Sequence, residues 1–165
     1  MDTAIYLYPT ATPKATAKPI AAGTKLKNKN ASYQVVSANP KQPTVTYVQN
    51  LKKTAASVTV PAQVKIGSVT YKVVAIGFKA FANNKKLKTL TIGKNITTIG
   101  KNAFAGCKKL KKITIKSTKL KSGAIGKNAF KGTTKNLVVK VSKKQYKAYK
   151  KLLKKKGNKK VKIKK

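Results

Sequence analysis

Between residues 76 and 141 the apolar positions repeat a single phrase. Ile76-Gly77-Phe78-Lys79-Ala80-Phe81 is followed by Leu87, Leu90 and Ile92 in an L-x-x-L-x-I spacing, and 23 residues later Ile99-Gly100-Lys101-Asn102-Ala103-Phe104 is followed by Leu110, Ile113 and Ile115. A third, looser copy opens at Ile125-Gly126-Lys127-Asn128-Ala129-Phe130, offset by 26 residues through a short insertion, and closes on Leu137-Val138-Val139-Lys140-Val141. The last two apolar residues of each L-x-x-L-x-I alternate as one buried face of a short strand does. Gly100 and Gly126 break the chain after Ile99 and Ile125, and Ala-Phe fits a short helical turn whose Phe closes the layer. One such layer cannot bury its own apolar edge, so the copies must stack, with Phe81, Phe104 and Phe130 in a column. The pattern predicts a small solenoid.

The flanks carry other periods. Ser32–Val36, Thr44–Val48, Ser57–Val60, Val64–Ile66 and Val69–Val73 alternate as half-buried strands, and Gly67-Ser68 suits a two-residue hairpin turn. Residues 23–70 are therefore expected to form a β-rich N-terminal cap over the first repeat, with residues 71–141 as the repeats. Residues 1–22 contain the Pro/Thr-rich run Pro9 to Pro19, an extended linker that points to a longer parent protein. In residues 142–165, Ser142 is placed to cap a helix from about Lys143 to Lys156 that Gly157 would stop, and Val161-Lys162-Ile163 reads as a last strand. Tyr146, Tyr149 and Leu153 fall on one stripe of that helix, which suits packing on the solenoid end better than lying on a membrane surface.

The phrase from Leu87 to Cys107, with apolar residues at 87, 90, 92, 96 and 99, then Ala103-Phe104 and Cys107, closely resembles the BspA-like, or treponemal-type, leucine-rich repeat. The resemblance covers about residues 69–141, and the lysine-rich tail is similar to the ends of such proteins in gut Firmicutes. The first copy has Asn84, and the third Thr133, where the repeat cysteine would fall. The resemblance implies a short leucine-rich-repeat solenoid of about three repeats in a bacterial surface or secreted protein, associated with adhesion to host matrix, mucosa or other bacteria. It implies an extracellular or cell-surface location.

Composition then narrows the chemistry. Forty lysines and no arginine, histidine or glutamate stand against one acid, Asp2, for a formal charge of +39. Acid–base catalysis and metal sites need residues this chain lacks, so no enzyme activity, cofactor or metal is expected. Cys107 is a lone cysteine without a histidine to activate it, and its expected place is a buried repeat position. No apolar run approaches the length of a membrane span.

The charge is concentrated where the repeats are, with thirty-two lysines in residues 61–165 and eight before them. Stacking lines up Lys101 with Lys127, Lys86 with Lys109 and Lys135, and Lys88 with Lys111. Rows in stacked strands lie roughly 5 Å apart, where two unit charges in water repel by about 0.8 kcal/mol, within a Debye length of about 8 Å at physiological salt. With no acid between them, these lysines, Lys112, and Lys147 and Lys151 on the helix, are the expected contacts for a polyanion: teichoic acid, glycosaminoglycan, mucin glycan, or nucleic acid bound without sequence preference. Base-specific readout favours arginine and exposed aromatics, which argues against specific nucleic-acid recognition. The alternatives are a protein-binding adhesin, with a host matrix protein against the strand-lined face (Lys88, Thr89, Thr91, Lys111, Lys112, Thr114, Val138, Lys140), and a wall-retention or spacer module of a larger protein. Solubility or drift toward lysine codons would account for the charge without a ligand.

Overall fold

The computed structural model describes residues 18–165; Asp2 and most of the Pro/Thr-rich run lie outside them. Among the described residues eleven strands and one α-helix follow in order, with a single 3-10 turn at Ser122–Ala124: β1 Lys25–Lys27, β2 Ala31–Ser37, β3 Thr44–Asn50, β4 Ser57–Val60, β5 Gln63–Ile66, β6 Val69–Ile76, β7 Thr89–Ile92, β8 Thr98–Ile99, β9 Lys112–Ile115, β10 Val138–Lys140, α1 Tyr146–Lys154 and β11 Lys162–Lys164. They form two sheets. One is wholly parallel in the order β11-β10-β9-β7-β4; the other runs β1-β2-β3-β6-β5, with β8 also pairing β6. A bridge from Ile99 to Ile125 continues the second sheet by one more layer. The fold is a β-solenoid with antiparallel strands at its N-terminal end and a single short helix near its C-terminus.

The alternation read from the sequence is what the sheets bury. Leu90 and Ile92 on β7, Ile113 and Ile115 on β9 and Val139 on β10 point inward, while Thr89, Thr91 and Thr114 are half-exposed. Phe81, Phe104 and Phe130 form the expected column, with centroids 5.6 Å apart at both steps. The column does not stop at the repeats. Tyr47 stacks on Phe81, and Tyr33 meets Tyr47 edge-on, so five rings run from the N-terminal strands through all three repeat turns. The Gly67-Ser68 hairpin forms as expected, with Ile66 opposite Val69 and Gly67 at φ 61°.

The parallel ladder reaches further than the repeated phrase. It begins with β4, in the segment assigned to the cap, and ends with β11, in the lysine-rich tail. Each Ala-Phe segment is a run of turns closed by i to i+3 bonds, Gly100 to Ala103, Asn102 to Ala105 and Phe104 to Cys107 in the second copy. Asn102 at φ 56° and Gly106 at φ 74° keep that run from winding into an α-helix.

The C-terminal helix is shorter than its periodicity predicts. It starts at Tyr146, and its N-cap, Gln145, makes no side-chain capping bond. The Gln145 amide instead donates to the Thr118 carbonyl, and Ser142 contributes only its carbonyl, to Gln145 N–H. Lys143 and Lys144 would place two cations at the positive end of the helix dipole, which favours leaving them outside. Tyr149 and Leu153 are buried, and the Tyr149 hydroxyl donates to the Leu120 carbonyl, so the apolar stripe packs on the solenoid end.

Candidate functional site

The lysines are aligned by backbone contacts between layers. Gly77, Gly100 and Gly126 occur at the same place in each copy, and a Cβ on Gly100 would lie 2.6 Å from the Gly77 carbonyl carbon. Only glycine lets the layers approach this closely. The residue after each glycine is turned outward, giving the row Phe78, Lys101, Lys127, all exposed. Phe78, at 59% exposure, is an aromatic outside the core, and the Lys79 ammonium lies 5.0 Å from its ring centre.

The other rows follow the registers on either side of them. Lys111 N–H donates to the Lys88 carbonyl, so these two are neighbours; the third place in that row is taken by buried Leu137. Lys86, Lys109 and Lys135 sit between segments that keep the 23- and 26-residue offsets on both sides, and all three are exposed. Lys112, Lys147 and Lys151 are exposed as well.

The outer face of the parallel sheet brings Lys112 and Lys140 together with two lysines outside the expected residues, Lys162 and Lys164. One row runs Ser57, Thr89, Lys112, Val138, Lys162, and the next runs Thr59, Thr91, Thr114, Lys140, Lys164. The face is thus hydroxyl-rich at its N-terminal end and cationic at its C-terminal end. A shallow hollow of about 530 Å³ at the cationic end is lined by Lys112, Lys116, Lys140 and Lys165 together with Thr114 and Ser142. A second, of about 390 Å³, lies between α1 and β11, lined by Lys150, Lys154, Lys159, Lys160, Lys162 and Lys164. Lys147 and Lys151 line neither. The row positions of Lys162 and Lys164 depend on β11 pairing with β10, which no repeat phrase signals.

Residues 18–165 contain no aspartate or glutamate, so among the described residues none of these lysines has a side-chain counter-ion. Among the described residues no group of three potential metal ligands exists, and no helix is long and apolar enough to cross a membrane. Cys107 is fully buried; its Sγ donates to the Phe81 carbonyl, and burial pushes the thiol up to about 11. That environment suits packing and opposes thiolate chemistry.

Stacked short strands, glycine-tight turns and an aromatic column define a leucine-rich-repeat solenoid. The chain belongs to the family described as BspA type leucine rich repeat region (6 copies), whose model matches residues 59–165. Among solved structures, it is similar to a leucine rich cell surface protein from Faecalibacterium prausnitzii, at 28% identity and a TM-score of 0.60, over 72% of this chain and 30% of that one. A leucine-rich repeat protein from Bacteroides ovatus is 24% identical, with a TM-score of 0.49, over 69% of this chain and 36% of that one. The Treponema pallidum leucine rich repeat protein is 19% identical, with a TM-score of 0.45, over 72% of each chain. The chain thus spans about a third of the length of the first two. No curated protein matches it.

Proposed function

We propose that this chain is a non-catalytic binding module of a bacterial surface or secreted protein that holds anionic polymers on its lysine rows. The observation that carries the reading is the in-register stacking of Lys101 on Lys127, and of Lys140 on Lys164, in a segment without one carboxylate. Lysines in register at strand spacing repel one another, and a polymer with repeated negative groups relieves that repulsion while releasing its counter-ions. The cell-surface description of the Faecalibacterium relative supports the location. Lys86, Lys88, Lys101, Lys109, Lys111, Lys112, Lys127 and Lys135 serve as contacts on the repeats, and Lys147 and Lys151 on the helix. Lys140, Lys162 and Lys164 extend them across the strand face.

Retention on a heparin column, together with binding to a glycan and polyanion array at two salt concentrations, tests the reading. Tight retention and steep weakening with salt are expected. Elution near physiological salt would remove the basis of the proposal. Replacing Lys112, Lys140 and Lys164 by Gln should reduce retention more than replacing Lys147 and Lys151.

A protein partner is the second reading, favoured by the hydroxyl-rich end of the same face, where Ser57, Thr59, Thr89 and Thr91 are neighbours. Such a complex saturates at one stoichiometry and tolerates salt better.

A further inference from the structure

The two sheets do not end together at the N-terminal side. One continues past β3 into β2 and β1, whereas the parallel sheet stops at β4. The carbonyls of Ala56 and Val60 accept from Thr89 and Gly93 on the β7 side. The alternation of a strand therefore turns the backbone N–H and C=O of Ser57 and Thr59 the opposite way, toward a side where, among the described residues, no strand pairs with β4.

That edge is also unguarded. Three of the other strands that end the ladders carry lysine: Lys25 and Lys27 on β1, Lys65 on β5, Lys162 and Lys164 on β11. Charged edge residues deter strand addition. β4, Ser57-Val58-Thr59-Val60, carries no charge, a property it shares among the ladder-end strands only with the two-residue β8, in a chain where about one residue in four is lysine.

Beside the β4 edge lies a hollow of about 380 Å³, lined by Ser57 and Thr59 on one side and by Asn28, Asn30, Asn50 and Lys52 on the other. Asn28 Oδ1 already accepts from the Asn30 and Ala31 amides, and Asn50 Oδ1 from the Tyr47 hydroxyl. Asn30 Oδ1 is buried and has no hydrogen-bond partner among the described residues. The strand edge beside the hollow therefore offers two backbone donor–acceptor pairs, those of Ser57 and Thr59.

We infer that this notch receives an extended segment of another protein, which adds a strand to β4. Groups alternating at the peptide pitch are matched in register by another backbone, and a glycan lacks that pitch. The partner segment carries acidic side chains, because Lys52 lines the notch and nothing within residues 18–165 offsets it. From Ser57 to Pro61 the edge spans roughly 13 Å at about 3.3 Å per residue, enough for four or five residues. This edge lies at the hydroxyl end of the strand rows, two strands away from their first lysine, Lys112.

The test uses the full chain and the capped peptide acetyl-Glu-Val-Thr-Val-Glu-amide, followed by amide exchange. Saturable binding with protection of the Ser57 and Thr59 amides is expected. Thr59→Pro removes an outward-facing N–H, which an edge strand tolerates, and should weaken binding at least tenfold while heparin retention is unchanged. Lys52→Glu should shift the preference to the peptide ended with Lys in place of Glu, and provides the test should Thr59→Pro not fold. Absence of protection at Ser57 and Thr59 at millimolar peptide overturns the proposal. So does equal binding of a peptide N-methylated along its backbone, since charge alone would then explain the contact.

Discussion

The Tyr47 and Phe81 rings stack with centroids 5.2 Å apart and planes 8° from parallel, joining the antiparallel N-terminal strands to the first repeat. Because both rings are buried and continue the Phe81, Phe104, Phe130 column, the two parts share one core. Phe81→Ala should therefore lower the stability of the whole chain by about 3–5 kcal/mol. Urea unfolding followed by tyrosine fluorescence and by circular dichroism should give coincident curves. Two separate transitions would show that the stack does not couple the parts.

Glycine at position 100 answers to crowding. A Cβ there would meet the Gly77 carbonyl carbon at 2.6 Å, whereas one on Gly123 meets nothing within 4 Å. Gly100→Ala should cost about 1–3 kcal/mol or more, the range for overpacking. Gly123→Ala should fall within about 0.5 kcal/mol of the native chain. Thermal melts of the two variants check the contrast, and equal melting would contradict it.

Lys79 occupies a left-handed position, φ 53°, that Asn102 and Asn128 occupy in the next two layers at 56° and 58°. Asparagine tolerates this region better than lysine. Asn102→Lys should lose about 1 kcal/mol, lowering the melting temperature by roughly 2–4 °C. Lys79→Asn should not lower it, because relief of the backbone offsets the lost contact with Phe78. Calorimetry on both variants reads the asymmetry, and a drop for Lys79→Asn would refute it.

The Cys107 thiol titrates near 11 in the folded chain, raised by burial from an ordinary value of 9.0. Folding therefore holds its proton, so its contribution is fully present below pH 9 and is lost as the pH rises through 11. The loss should run at up to about 1.4 kcal/mol per pH unit. Compared with Cys107→Ala, the native chain should lose stability faster over that window. Alkylation of the folded chain should also be slow until denaturant is added. Parallel pH profiles for the two proteins would count against the assignment.

Salt should stabilise this protein. Like charges in register repel, and added sodium chloride shortens the screening length from about 10 Å at 0.1 M to about 3 Å at 1 M. The melting temperature should rise with sodium chloride while heparin binding weakens. A melting temperature that falls or stays level would mean the lysine rows are farther apart than the ladder places them.

The repeat phrase, the strands other than β1 and β8, the hairpin at Gly67 and the phenylalanine column were legible in the order of residues, because each depends on local periodicity and on copies a fixed distance apart. What only the tertiary structure decided depends on pairing between distant segments: that Tyr33 and Tyr47 prolong the column, that β4 and β11 end the parallel ladder, and that Lys140 and Lys164 stand side by side. Ser142 shows the same limit on a smaller scale, since its cap was displaced by a bond from Gln145 to Thr118, 27 residues away. Periodicity states which face of a strand is buried; which strand lies beside it is set by hydrogen bonds and packing between residues that the chain order keeps apart.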